Sequence, residues 1–228
     1  MSDELLFRIL FIVLWVILAA IRIGYGRKGK REQKNRGEGE QRWANMTRSE
    51  KGALVVLSAD ILLFIVTSIF YVAGLPWMML FQVLLPDCMR WLGVGIASIS
   101  LPLLWWVHHI LGRHWSRTLE IKGKHELCME GPYSRVRHPM YSVFFIFMMG
   151  MGLISANFLL FIFFAIFVAF MYTLLIPSEE RMMLDHFGEE YQNYMQRTGR
   201  IFPRILYKVK EKRAPESQEV EPSNESDG

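Results

Sequence analysis

Cysteine is nearly absent from this chain of 228 residues, with Cys88 and Cys128 the only two. Neither stands at metal-ligand spacing from a second ligand, and the predicted topology puts them on opposite sides of a bilayer, so no pairing within the chain is expected. Histidine is equally thin for metal chemistry. His108-His109 is the one adjacent pair, no H-x-x-H-H box repeats, and His114, His125 and His138 stand apart from it. The sequence predicts no metal site. Charge is missing over long stretches. Tyr141–Ile176 has no charged residue, Gly52–Gly74 has only Asp60, and Leu5–Ile23 has only Arg8 before Arg22 near its end. Met89–Leu111 has Arg90 and, near its far end, His108 and His109. A soluble domain of this length would break its apolar content into short periodic runs. These runs match the roughly 20 residues that a helix needs to cross a bilayer.

The run Tyr141–Ile176 is too long for one crossing and just enough for two, with Ser155-Ala156-Asn157 as the turn between them. The expectation is therefore an all-α, polytopic membrane protein of five transmembrane helices. The first run is kept as a helix and not read as a secretory leader. Asp3 and Glu4 precede it, and no small-residue cleavage site separates it from the basic stretch beyond.

Basic residues are lacking on one side of this arrangement. Leu75–Asp87 and Ser155–Asn157 contain no Lys or Arg, whereas residues 27–51, 113–137 and 181–213 are rich in both. With five crossings the three basic segments share one side, so the positive-inside rule predicts the N-terminus outside and the C-terminus in the cytoplasm. The net charge of +4 is then topology, and no nucleic-acid partner is expected. Trp77 suits an outer-interface loop, and residues 26–42, rich in Gly and charge, suit a flexible one. Thr47-Arg48-Ser49-Glu50 reads as a capping box opening the second helix. Gly93, Ala97 and Ser100 form a small-residue stripe suited to close helix packing. Pro177 is expected to stop or kink the chain. Ser178 would then cap an amphipathic inner-face helix carrying Leu184, Phe187, Tyr191 and Tyr194. The tail from about Lys208 reads as disordered.

Two polar clusters fall on the cytoplasmic side. One runs from His125 to Tyr141, at the start of the fourth helix, and the other is Glu179-Glu180, just past the fifth. An antiparallel hairpin brings both to one mouth, with Arg137 and His138 facing the two glutamates. From spacing alone, these charges fit interfacial anchors and structural ion pairs as well as a site. Gly131-Pro132 and His138-Pro139 tip the balance, because they impose a rigid turn that an anchor does not need.

His125-x-Leu127, Gly131-Pro132-Tyr133, Arg137-His138-Pro139-x-Tyr141, Glu179-Glu180 and Phe187-Gly188-x-x-Tyr191-x-x-Tyr194 occur in one order. Together they resemble the isoprenylcysteine carboxyl methyltransferase family of integral-membrane enzymes, and its small five-helix prokaryotic members in particular. The resemblance extends over about residues 112–203, including Thr198-Gly199-Arg200 and Phe202-Pro203. It implies S-adenosylmethionine as methyl donor, membrane lipids as surroundings and a lipophilic acceptor drawn from the bilayer. The expected location is a prokaryotic cytoplasmic membrane. Carried onto this sequence, the cofactor-binding residues are His125, Leu127, Cys128, Tyr133, Arg137, His138, Pro139, Tyr141, Glu179 and Glu180, with Arg137 more a support for the loop than a ligand contact. No catalytic acid or base is nominated, since the methyl carbon is already activated and an acceptor that is already anionic needs no general base. The domain reading is three helices with a basic loop in 1–111, a cofactor-binding core in 112–207 and a tail in 208–228.

The carboxyl-methylating members of that family carry an Arg shortly before the glutamates, where this chain has Leu175. A prenylcysteine-like carboxylate therefore competes with a lipid amine or thiol as acceptor. Two other classes remain alternatives. An NADPH-dependent sterol-type membrane reductase has a similar Arg-His-x-x-Tyr turn, but with Asn-Tyr and Gly-Asp where this chain has Met140-Tyr141-Ser142-Val143. A transporter or structural membrane protein would place polar residues along a path at mid-membrane, and only Asp60 stands inside a helix.

Overall fold

The computed structural model describes residues 2–36, 48–120 and 127–204, and within these the chain is helical with two isolated β-bridges and no strand. Helix α1 spans Ser2–Arg36, α2 Arg48–Ala73 and α3 Asp87–Glu120. A 3-10 turn, Pro76–Phe81, links α2 to α3. Helix α4 spans Pro139–Ser155 and α5 Phe158–Phe170. A π turn, Met171–Leu175, continues α5 into α6, Ile176–Phe187, and α7 is Glu189–Arg197. Four stretches are long and apolar enough to cross a membrane: Asp3–Tyr25, Val55–Ala73, Asp87–Leu111 and Phe158–Phe187. Helix α4 is also apolar but has 17 residues. At 1.5 Å per residue that is about 25 Å, shorter than a hydrocarbon core of about 30 Å.

The helices turn apolar side chains outward as well as inward. Val16, Leu62, Ile99 and Phe158 are all more than half exposed, the pattern of helices solvated by lipid. Inward, Phe7, Phe11, Leu14 and Leu18 repeat at helical spacing along α1. They pack with Leu101 and Leu104 of α3, Phe147 and Met151 of α4, and Phe164 of α5. The tightest crossing is α3 on α4. A Cβ at Gly93 would come within 2.7 Å of the Gly150 carbonyl oxygen, and one at Gly150 within 2.7 Å of the Ala97 amide nitrogen. The small-residue stripe of α3 thus meets a glycine of α4, and the two backbones touch.

The turn at Ser155-Ala156-Asn157 joins α4 to α5. Ala156 takes a left-handed conformation (φ 46°). Asn157 caps α5, its Oδ1 accepting from the amides of Leu159 and Leu160 at 3.1 and 3.3 Å. Its Nδ2 donates to the Met78 carbonyl at 3.2 Å, and the Val83 amide donates to the Ala156 carbonyl at 2.7 Å. The apolar 75–86 connection is therefore pinned to the hairpin turn.

A polar clasp that the sequence does not advertise closes the same end. Arg90 reaches Glu4 at 2.6 Å and donates twice to the Ile154 carbonyl, at 3.0 and 2.8 Å, with its guanidinium 3.9 Å from the Phe7 ring centroid. Arg8, Gln82 and Tyr71 also converge on Glu4. One carboxylate thereby ties together α1, α2, α3 and the connection between the last two, while Arg90 holds the end of α4. Charges at the rim of a bilayer persist when paired in this way.

Three expectations about local structure change. Pro177 does not stop the chain. The helix runs on through the π turn, and Leu175, with helical dihedrals, precedes α6 where Ser178 was expected to cap it. A wide turn just before a proline accommodates the missing amide hydrogen bond. The amphipathic segment is two helices, because Gly188 has φ 52°, a conformation that ends α6 and re-aims α7. Of residues 26–42, expected to be flexible, 26–36 continue α1 as helix and 37–42 lie outside the described residues. Thr47 and the tail 208–228 lie outside the described residues.

Candidate functional site

At the opposite end from the Glu4 clasp, the segment 127–138 folds onto the C-terminal strap 198–201. Gly131 opens a 3-10 turn, Gly131–Ser134, with φ 57°. A side chain there would be strained in backbone and would collide with Ile110. Beyond the turn, two extended segments pair side by side. The Gly199 amide donates to the Arg135 carbonyl at 3.0 Å, the Arg137 amide to the Gly199 carbonyl at 2.9 Å, and the His138 amide to the Arg200 carbonyl at 3.1 Å. Ser142 Oγ adds a bond to the Ile201 carbonyl at 2.5 Å. Gly199 is required by the return of the chain, since a Cβ would run into the Phe202 carbonyl. Pro139 then occupies the first position of α4, where its missing N–H leaves nothing unsatisfied.

This pairing aims three side chains at Glu180, which is buried (3 % exposed). Arg137 donates from Nε to Glu180 Oε1 at 2.8 Å and from Nη1 to the Met195 and Thr198 carbonyls at 3.0 and 2.7 Å. Arg200 donates to Glu180 Oε2 at 2.6 Å and lies 5.4 Å from the Tyr172 ring centroid. His138 Nε2 approaches Glu180 Oε1 to 3.4 Å without hydrogen-bond geometry, so this buried nitrogen has no hydrogen-bond partner among the described residues. Both Glu180 oxygens are thus held by guanidinium groups.

Glu179, one residue earlier, faces the other way. Its side chain is 30 % exposed, accepts from Tyr141 Oη at 2.8 Å and stands 3.7 Å from His138 Nδ1. The His138 and Tyr141 rings stack, with centroids 5.8 Å apart. Tyr194 closes the far wall by donating to the Tyr133 carbonyl at 2.6 Å, and Leu127 packs on Tyr191 and Tyr194. The structure therefore brings together Leu127, Tyr133, Arg137, His138, Pro139, Tyr141, Glu179 and Glu180. Cys128 follows Leu127 and is half-buried. His125 lies outside the described residues. Arg137 and Glu180 are engaged with each other and with the strap, whereas Glu179 and Tyr141 form the more open, polar side of the cluster, next to His138.

Burial fixes the protonation of this site. His138 is held below the ordinary imidazole value chiefly by desolvation, with the Glu180 carboxylate opposing in part. The imidazole is therefore neutral near pH 7. Desolvation also raises the Cys128 thiol and the phenols of Tyr133 and Tyr194, and pushes Tyr191 up to about 12. All four stay protonated near neutrality. The Glu180 hydrogen bond raises Arg200 further, against a smaller opposing effect of burial.

His138 gives the fold a pH dependence. Its folded pKa lies below the unfolded value, so its contribution to stability is complete above about pH 6.5 and is lost as pH falls through the lowered folded value. Thermal unfolding tracked from about pH 7.5 to about pH 5 should show a falling melting temperature, and His138→Gln should flatten that slope.

The strap is what sequence reasoning undervalued. Thr198-Gly199-Arg200 belonged to the resemblance, but Arg200 as the second cation on Glu180 was not foreseen. The available signal was the pair of glutamates, which needs more positive charge than Arg137 alone brings.

The family model described as "Isoprenylcysteine carboxyl methyltransferase (ICMT) family" matches residues 91–185. That stretch contains the 3-10 turn, Arg137, His138, Tyr141 and both glutamates. This part of the chain is ICMT-like. A nickel-cobalt-cadmium resistance protein of Alcaligenes xylosoxydans xylosoxydans is 33% identical over 114 residues, which are 50% of this chain and 48% of that protein. A cobalt-zinc-cadmium resistance protein of Cupriavidus metallidurans is 31% identical over 118 residues, 51% of this chain and 49% of that protein. Protein-S-isoprenylcysteine O-methyltransferase B of Arabidopsis thaliana is 35% identical over 88 residues, 38% of this chain and 45% of that protein. The chain thus spans about half the length of the curated relatives it matches. α1, α2 and the strap lie outside the ICMT match. Among the described residues no three His, Cys, Asp or Glu side chains group closely enough to hold a metal ion.

Proposed function

We propose that this protein is an integral-membrane, S-adenosylmethionine-dependent methyltransferase acting on a small lipophilic acceptor at the cytoplasmic face. The reading includes five crossings, with α4 as the short one, the N-terminus outside, and a bacterial inner membrane as its location. The observation that carries it is the pairing of an open carboxylate with a buried one. Glu180 is consumed in holding the strap, while Glu179, with Tyr141 and His138 beside it, lies on the open side inside the ICMT-like segment.

The donor set fits the proposed cofactor. An ammonium or ribose hydroxyl suits the Glu179 carboxylate, and an adenine edge suits the walls of Leu127, Tyr133 and Tyr191. A ligand acceptor atom can accept a hydrogen bond from the N–H of a neutral His138. When bound, S-adenosylmethionine supplies an activated methyl group: the acceptor lone pair forms the new bond to carbon as the carbon–sulfur pair returns to sulfur. Toward an acceptor that is already ionised, the residues need only align and shield. Rigid positioning can contribute roughly 7–11 kcal/mol of barrier lowering, and the Arg137–Glu180–Arg200 hub supplies that rigidity. The phenols of Tyr133, Tyr191 and Tyr194, neutral at pH 7, add no charge that would compete with an ionised acceptor.

The test is transfer itself. Purified protein is incubated with methyl-labelled S-adenosylmethionine and, separately, S-farnesylcysteine, phosphatidylethanolamine or an alkyl thiol. Label entering the organic phase with one acceptor is expected. Label with none of them, while a known methyltransferase labels its substrate under the same conditions, counts against the reading.

A further inference from the structure

Arg22 stands near the C-terminal end of the α1 crossing Asp3–Tyr25. Its guanidinium carbon lies 5.8 Å from the Phe144 ring centroid. Phe144 in turn contacts Phe167 of α5, with centroids 5.5 Å apart. Phe167 and Tyr141 pack on one apolar cluster with Met171, Ile176 and Ile201, and Tyr141 bonds Glu179 at 2.8 Å. Tyr141 and Phe144 are three residues apart in α4 and share a face. A continuous aromatic surface therefore runs from the proposed cofactor carboxylate to an arginine on α1.

Arg22 differs from the arginines of the two polar clusters. Arg8 and Arg90 share Glu4, and Arg137 and Arg200 share Glu180. Arg22 is exposed and has no carboxylate partner among the described residues. Arg137 and Arg200 are both committed to Glu180, so neither is free to meet an acidic acceptor. An amphiphile lying along Phe144 and Phe167 would need a counter-charge, and Arg22 presents one at the end of that surface.

We propose that Arg22 is a specificity-determining residue that meets an anionic group on the lipophilic acceptor. The inference rests on the methyltransferase reading. It shifts weight back to acidic acceptors, which the apolar Leu175 had reduced, and it places the discriminating charge on α1, outside the matched residues 91–185. An anionic lipid head group shares the same chemistry, so the test separates the two sources.

The full-length protein is reconstituted in nanodiscs of phosphatidylcholine alone. S-Adenosylmethionine, S-farnesylcysteine and the farnesylcysteine carboxamide are titrated separately into wild type, Arg22→Ala and Arg22→Lys. The expected result is S-farnesylcysteine affinity reduced about tenfold or more in Arg22→Ala, largely restored in Arg22→Lys, with carboxamide and S-adenosylmethionine affinities unchanged. Equal loss for the free acid and the carboxamide, or no loss for either, overturns the inference. So does an Arg22-dependent gain in melting temperature on adding phosphatidylglycerol with no effect on the acid, which would make Arg22 a head-group anchor. Wild type that binds no S-adenosylmethionine sinks the methyltransferase reading itself, whereas binding that is indifferent to Arg22 sinks this inference alone.

Discussion

Glu180→Ala is expected to lose roughly 3–5 kcal/mol of stability, the cost typical of deleting one partner of a buried ion pair. The Arg137 side chain is 8% exposed and would keep its two carbonyl contacts while losing its carboxylate. Arg200, one-third exposed, would rehydrate and contribute less to the loss. The damage should be local first. The strap is held to residues 135–142 by a short backbone ladder and by the Arg137 and Ser142 side chains. Loss of the hub should therefore raise amide exchange at Arg137 and His138 before the Glu4 clasp responds. Thermal unfolding in detergent, with hydrogen exchange on the same sample, checks both statements. An unchanged melting temperature with full protection at Arg137 would mean that Glu180 is not the hub.

The second large effect falls on ligand binding and not on the fold. Glu179→Ala removes a carboxylate that is 30 % exposed and accepts a hydrogen bond from Tyr141. Because that group is partly solvated, its loss costs the fold little. Toward a bound ammonium or hydroxyl it would supply a charge-assisted hydrogen bond, worth about 1.5–3 kcal/mol. Affinity for S-adenosylmethionine should therefore fall about 10- to 100-fold, with the melting temperature of the unliganded protein nearly unchanged. The contrast between the two neighbouring glutamates is the informative part. Glu180→Ala should behave as a folding defect and Glu179→Ala as a binding defect. If both behave as folding defects, the pair is one structural cluster and the open carboxylate has no ligand role.

Apolar runs and the Ser155-Ala156-Asn157 turn were legible because lipid imposes strong and simple rules. Backbone must be helical, helices must be long, and a break between two crossings must be polar enough to cap the next helix. The apolar run of α4 is continuous with that of α5, and the break falls at the predicted turn, with Ala156 left-handed and Asn157 capping α5. Pro177 does not stop the helix, because the π turn before it carries the chain from α5 into α6. Gly188 escaped notice, since the apolar spacing of Leu184, Phe187, Tyr191 and Tyr194 runs straight across it.

Within the site, motifs predicted which residues would meet and put Arg137 in support of the loop, but not the part that the strap plays. Arg137, His138, Glu179 and Glu180 could be placed at one mouth from topology. That Glu180 faces the strap and Glu179 the open side depends on a rotation of about 100° between successive helical residues and on where the strap lies. The Glu4 clasp was invisible for a related reason. Glu4, Arg90 and Ile154 are far apart in sequence and carry no motif, and only the packed bundle brings them together.

The central claim is most directly tested by titrating S-adenosylmethionine calorimetrically into the purified wild-type protein, with NADPH titrated in parallel. The account predicts saturable binding of S-adenosylmethionine and none of NADPH. Saturable binding of NADPH without binding of S-adenosylmethionine, or binding of neither by a protein that melts cooperatively, would contradict it.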